Sequence, residues 1–398
     1  MKSRILKTPC YYADLATRYG TPLYEKFGFR NLGLTRMSFK LGGRNLLSTA
    51  ITPLKFPGDK GTRLIAAYDA GRPYEFDAES LEIKTPIGSN KEWIASTPAF
   101  LQMPFPMIQS TAHPAFDPLT QEMFTVNFTR SSKNVLACIE LLDLLARDEK
   151  NIEQELEKNI HQSSHLRDKA KLAEIINLFF RTIDVRLRRK GNKRSRLLHW
   201  LLSPVQRNPA RKRRWQKRIL HVLIRQMRFF ATHDGSMEDL IYLLKWKGEG
   251  AMQRWKVIDQ QGEPVSIAQC IHQMAVTENY IVLADAAFSL GINLFINNPF
   301  PKNHEIDRFI RDLTTIPMQP FTSLFIIRRS DLQDHSRGVK AQKIDIPLEG
   351  VHFMADYQDT DDLITLYMGH NSAACLANGS GSTISRLILL TARLTQIM

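Results

Sequence analysis

Between Arg63 and Gly88 the chain alternates short apolar segments with turn residues, and this rhythm limits its fold more than any other feature. Arg63-Leu-Ile-Ala-Ala-Tyr68 is followed by Asp69-Ala-Gly71, Pro73-Tyr-Glu-Phe76 by Asp77-Ala-Glu-Ser80, and Leu81-Glu-Ile-Lys84 by Pro86-Ile-Gly88. Such runs are too short for amphipathic helices, and the Gly, Asp and Pro residues between them reverse the chain, so successive runs pair as antiparallel hairpins. Strand character returns at Met123–Asn127, Asp239–Lys245, Trp255–Ile258, Pro264–Ile267, Tyr280–Leu283, Leu324–Ile327 and Leu363–Leu366. An all-β barrel, sandwich or propeller is therefore expected rather than an α/β fold. The strand–turn–strand units recur every 40 to 50 residues or so, about the length of one propeller blade.

A different periodicity interrupts the strands. Val135, Ile139, Leu142 and Leu145 recur at helical spacing, as do Leu172, Ile175, Ile176 and Phe179, and then Ile219, Val222, Leu223, Met227 and Phe230. The expected organisation is a first β part over 1–130, a basic helical insertion over 131–238 and a second β part over 239–398. Without the insertion the chain is long enough for roughly six blades of that repeat length, so the last blades of a larger ring are expected to be missing. The tail around Leu387-Ile-Leu-Leu-Thr-Ala-Arg393 reads as helix-like.

The insertion also holds the charge. The formal net charge is +14, yet residues 181–230 alone contain 17 Lys and Arg against a single acid, Asp184, so the remainder is close to neutral. Arg211-Lys-Arg-Arg214 and the following arginines interleave with Leu220, Val222, Leu223, Met227, Phe229 and Phe230. That mixture suits a solvated basic face or an anionic membrane surface. Nucleic acid is disfavoured as a partner, because no zinc, helix-turn-helix or aromatic-platform motif accompanies the run. At 43% hydrophobic and 24% charged, the composition excludes a disordered or small disulfide-rich chain. The four cysteines are widely separated, no apolar h-region follows Lys7, and no apolar run is long enough to span a bilayer. A cytoplasmic protein with reduced thiols, in peripheral contact with a membrane, is the expectation.

Eleven histidines are present. His161, His165, His199, His221 and His233 stand among the charges of the insertion and are expected to be solvated, and His304 and His335 read as loop residues. His113, His272 and His352 stand in strand-like surroundings. Taken singly, each reads as a half-buried structural histidine; three imidazoles from separate strands converge only where the sheet curls back on itself.

The segments around these three carry a family resemblance. Thr111-Ala-His113-Pro-Ala-Phe-Asp-Pro-Leu-Thr-Gln-Glu-Met-Phe124 resembles the first metal-ligand motif of the carotenoid cleavage oxygenase family, in which a His-Pro step precedes an Asp-Pro hairpin. His272-Gln-Met-Ala-Val-Thr-Glu-Asn-Tyr280 resembles the second, and is the most specific match in the chain. Val351-His352-Phe-Met-Ala-Asp-Tyr-Gln358 resembles the third, with Ala355 and Gln358 where the family usually has Asn and Glu. Asp69 to Glu82 looks like an early blade of the same family, and the resemblance covers about 29–130 and 239–370.

The resemblance implies a seven-bladed β-propeller whose inner strands present four histidines to a single Fe(2+) ion, under loops that form an apolar tunnel. It implies a dioxygenase that uses O2 to split a conjugated C=C bond of a carotenoid, an apocarotenoid or a stilbene-like molecule into two carbonyl products. His113, His272 and His352 are then the expected ligands. Neutral imidazoles suit Fe(II) and leave positions open for O2 and substrate. Asp117, Glu122 and Glu278 stand near the motifs, at spacings that do not assign them to an imidazole. The family's fourth histidine lies far beyond the third, whereas 46 residues follow His352 here and His370 lacks the expected context. The separation of His113 from His272 also exceeds what relatives need. The alternative expectation is a truncated, non-catalytic member that acts as a membrane-surface or binding protein through its basic insertion.

Overall fold

A computed structural model of the chain describes residues 3–32, 35–38, 40–97, 103–131, 238–286, 321–347, 350–359, 363–371 and 385–393. The helices and basic run expected within 131–238, together with His161, His165, His199, His221, His233 and His304, lie outside the described residues. The described residues are mostly β.

The turn-punctuated stretch that dominates the early sequence folds into a meander. Strands β1 (Arg30–Leu32), β2 (Thr35–Ser38) and β3 (Gly42–Gly43) form a small antiparallel sheet. They lead into β4 (Ala50–Leu54), β5 (Arg63–Ala67), β6 (Tyr74–Phe76) and β7 (Ile83–Pro86), which pair in sequence order. Ile65 faces Thr52 on one side and Glu75 on the other. Ile65, Ala66 and Ala67 are all buried, which is why β5 reads as a continuous apolar run rather than an alternating one.

Two further meanders share one nine-stranded sheet. The first comprises β8 (Gln109–Ser110), β9 (Ala115–Asp117), β10 (Glu122–Thr129), β11 (Leu240–Trp246) and β12 (Gln253–Ile258). The second comprises β13 (Met274–Val276), β14 (Tyr280–Asp285), β15 (Phe321–Arg328) and β16 (Gly338–Pro347). Pairing within each meander is antiparallel, and a parallel contact of β12 with β16, Val257 opposite Val339, joins them. Phe124, Val126, Phe128, Leu243, Trp255, Ile281, Leu283, Phe325 and Ile327 form their common core. A last meander holds β17 (Gly350–Ala355), β18 (Leu363–Asn371) and β19 (Ser385–Arg393).

Strands β10 and β11 are neighbours although 110 positions separate Thr129 from Asp239. At the open end of this hairpin the Ser131 N–H and hydroxyl donate to the Asp239 carboxylate at 2.8 and 2.9 Å, and Thr129 donates to the Glu238 carbonyl at 2.6 Å.

Two sequence expectations need correction, and one helix had not been read from the sequence. Leu387–Arg393 is not helix-like but lies within β19, paired with β18 from Leu363 opposite Arg393 to Asn371 opposite Ser385. A short continuous apolar run has no helical face to distinguish it, so the available partner strand decides its state. Pro264–Ile267 forms only an isolated bridge, Ile258 with Pro264, because proline offers no N–H to a ladder. Helix α1 (Pro9–Ala16) was not expected, yet its start is written in Thr8-Pro9: the Thr8 hydroxyl caps the Tyr11 N–H at 3.3 Å and proline takes the first turn.

Candidate metal centre

The three histidines of the sequence motifs come from the opening segments of three meanders. His113 lies between β8 and β9, His272 two residues before β13, and His352 within β17. Backbone contacts hold the first two together: the His272 carbonyl accepts the Ala112 N–H at 3.0 Å and the Thr111 hydroxyl at 2.8 Å. His113 and Gln273 form a parallel bridge.

The rings converge. Their centroids are 4.9, 5.0 and 5.0 Å apart with steep interplanar angles, so edges rather than faces meet. One nitrogen from each ring lies within 4.8 Å of the other two, the only such three-residue cluster of His, Cys, Asp and Glu among the described residues.

The hydrogen bonds around the rings fix where their protons sit. Asp69 is buried in the turn between β5 and β6, and its Oδ1 lies 2.7 Å from His272 Nδ1. An ionised carboxylate only accepts, so Nδ1 carries a proton, and in the neutral tautomer this selects, Nε2 keeps its lone pair. His352 Nδ1 lies 2.9 Å from Gln273 Oε1, which leaves its Nε2 in the same state. His113 Nε2 is buried with no hydrogen-bond partner. A buried nitrogen without a partner costs on the order of 1–3 kcal/mol, and a cation held by all three rings removes that cost.

Electrostatics disfavour protonation of the two rings that Asp69 does not touch, those of His113 and His352. Burial, and then the neighbouring His272 and His352, push the His113 imidazole down to about 4. His352 is lowered by desolvation and by His272, with Asp69 opposing. Imidazoles that stay neutral near pH 7 are in the form a metal ion requires.

The carboxylates nearest the motifs in sequence do other work. Asp117 accepts from the Leu119 N–H, the Thr120 hydroxyl and Arg329, at 2.9, 2.8 and 2.6 Å. Glu122 pairs with Lys245 at 3.2 Å, and the Glu278 N–H donates to the Tyr357 carbonyl at 2.8 Å. Asp69 and Gln273 are the side chains that reach imidazoles, and neither was singled out from the sequence. Asp69 has one visible signal, a lone acid closing the apolar run Leu64–Tyr68. Its turn is fastened to the His113 segment, since the Ser110 N–H donates to the Asp69 carbonyl at 3.0 Å and the Ser110 hydroxyl to the Gly71 carbonyl at 2.6 Å. His335 is exposed, as expected of a loop residue.

Comparison with known proteins agrees with these motifs. The sequence model of the retinal pigment epithelial membrane protein family matches residues 1–162, the stretch that contains Asp69 and His113. No curated protein matches the chain. Among solved structures, the chain is similar to a lignostilbene dioxygenase of Pseudomonas brassicacearum, at 11% identity and a TM-score of 0.40, covering 89% of this chain and 46% of that one. It is similar to a variant of the Synechocystis apocarotenoid oxygenase, at 12% identity and a TM-score of 0.42, covering 98% and 55%. It is also similar to the cobalt-substituted form of that enzyme, at 11% identity and a TM-score of 0.41, covering 93% and 52%. The chain thus spans about half the length of these structures. Over residues 1–162, then, the chain is similar in sequence to the retinal pigment epithelial membrane protein family.

Proposed function

We propose that the protein is an Fe(II)-dependent dioxygenase that splits a conjugated C=C bond of a carotenoid, apocarotenoid or stilbene-like substrate with O2, and that His113, His272 and His352 are its metal ligands. The observation that carries this reading is the convergence of three imidazoles, of which two donate from Nδ1 to fixed acceptors and the third has a buried Nε2 lacking any partner. The donor set fits iron: imidazole is a usual ligand of Fe(II), and an all-histidine set leaves positions free. When bound, Fe(II) would supply the activation of O2 that oxidative cleavage requires. The protein's own part is to orient the rings through Asp69 and Gln273 and, by desolvation, to disfavour protonation of His113 and His352. The β domain is read as propeller-like, with further blades implied by the family. The segment 131–238 is read as an insertion into the β10–β11 hairpin, supported by the meeting of Ser131 with Asp239.

The test is iron content after anaerobic expression and loading. Stoichiometric iron in the intact chain, lost in His272→Ala, is expected; an intact chain that holds none would overturn the reading.

Contact with an anionic membrane is favoured by a separate observation in the N-terminal segment. Ile5, Tyr12, Leu15, Tyr19 and Leu23 are large apolar side chains exposed to solvent, and Arg4, Lys7, Arg18 and Lys26 are exposed among them. Basic residues interleaved with exposed aromatic and aliphatic ones suit the headgroup region of an anionic bilayer. Among the described residues, no helix is long and apolar enough to cross a membrane. Flotation with anionic vesicles, reduced in the double variant Tyr19→Ser, Leu23→Ser, is expected; equal flotation with neutral vesicles would count against it.

A further inference from the structure

We infer that Gln273 is the positioning residue of the third imidazole, holding His352 in its metal-binding tautomer with a neutral amide. The inference rests on the metal-centre reading above and adds a role for a residue outside the ligand set.

The three rings are not held alike. His272 is buried and fixed by Asp69, and His113 is partly buried on its bridged backbone, whereas His352 is exposed. Packing alone therefore leaves the His352 ring free to swing toward solvent. Gln273 prevents this through a clamp of three hydrogen bonds. Its Oε1 accepts from His352 Nδ1 at 2.9 Å and from the Phe353 N–H at 3.2 Å, while its Nε2 donates to the Phe353 carbonyl at 2.7 Å. The Phe353 carbonyl can only accept, so it orients the amide with Nε2 toward the backbone and Oε1 toward the ring. His352 must then donate from Nδ1, and its Nε2 faces the site as an acceptor.

The same residue ties all three ligand segments. It follows His272 directly, its backbone bridges to His113, and its side chain grips β17. Because an amide carries no charge, Asp69 supplies the sole anion hydrogen-bonded to an imidazole of the trio among the described residues. His352 thus receives the orientation that a carboxylate would give without the added basicity.

The test uses cobalt(II) as the probe, titrated into the full chain by visible spectroscopy and calorimetry. Gln273→Leu removes the amide at similar volume and is expected to weaken cobalt binding about 10- to 100-fold. Its d–d spectrum should shift toward that of His352→Ala, with solvent replacing an imidazole. Gln273→Glu retains an acceptor and should recover affinity to within a few-fold of the parent. If Gln273 acts through His352, Gln273→Leu should weaken binding no further in a His352→Ala background; an additive loss there would point to a structural role and overturn the inference. Parent-like affinity and spectrum in Gln273→Leu would also overturn it while leaving the metal centre standing. A parent chain that binds no cobalt would instead overturn the metal reading, and this inference with it.

Discussion

Asp69 and Gln273 meet their imidazoles through different chemistry, and the difference has measurable consequences. The Asp69–His272 contact is buried on both sides, at 4% and 6% side-chain exposure. Asp69→Ala removes the acceptor, frees the His272 tautomer and opens space beside it, so metal affinity should fall about 10- to 100-fold while Asp69→Glu retains more. A cobalt titration that shows no change in Asp69→Ala would dismiss this role. The three histidines were legible because each sits in a recognisable local motif. Asp69 was not, because its contact joins positions 203 apart, and no local spacing encodes which turn docks on which strand. Asp117 and Glu122, nearer in sequence, were drawn instead to cations. The Asp117 side chain is wholly buried and Arg329 is 12% exposed. Removing the guanidinium in Arg329→Met leaves the buried carboxylate with its hydrogen bonds from Leu119 and Thr120 but without its cation, a loss of up to about 3–5 kcal/mol, readable by urea denaturation. Burial pushes the Asp117 carboxyl up, but hydrogen bonds from Thr120, Leu119 and Arg329 outweigh it and hold it below its ordinary 3.8. The stabilisation is therefore complete above 3.8 and lost as pH falls through the lower folded value. Acid titration of the unfolding midpoint should show that decline, and Arg329→Met should flatten it.

At the scale of elements, hairpins announced by turn chemistry were legible, and those settled by a partner were not. Strands β5, β6 and β7 fall within about two residues of the runs read from Arg63–Gly88, since Gly, Asp and Pro fix where the chain reverses. Strand β19 was missed because Leu387-Ile-Leu-Leu390 carries no period of its own and takes its state from β18. The turn from β11 to β12 holds two glycines that separate backbone strain from crowding. Gly248 and Gly250 both adopt positive φ, +95° and +69°. A Cβ at Gly248 would lie 2.5 Å from Phe56 Cγ, whereas at Gly250 it meets nothing within 4 Å. Phe56 has little freedom to yield, as its ring packs edge-on to Trp246 at 5.1 Å and beneath the Arg63 guanidinium at 5.3 Å. Gly250→Ala should cost only the left-handed backbone, about 1–2 kcal/mol. Gly248→Ala should add overpacking of roughly 1–3 kcal/mol. Equal urea midpoints for the two variants would show that the ring moves aside.

For the molecule as a whole, the histidine centre is a junction rather than a feature of one element. His113, His272 and His352 come from three meanders, and Asp69 reaches them from a fourth, the β4–β7 sheet. A metal ion held by all three rings therefore links segments that are remote along the chain, and the unfolded chain cannot reproduce that arrangement. Binding to the folded state alone raises stability by RT ln(1 + [L]/Kd), about 2.7 kcal/mol at a hundredfold excess over Kd. The thermal midpoint of the anaerobic protein should thus rise with added Fe(II), and the rise should keep growing with the logarithm of free metal. His272→Ala should abolish the dependence, because it removes the ring that Asp69 fixes at the buried side of the centre. Gln273→Leu should displace the curve to higher metal concentration without abolishing it, since two well-held imidazoles remain. A midpoint that responds identically in the parent and in His272→Ala would place the binding elsewhere, and the three rings would then be a packed cluster with no metal to bind.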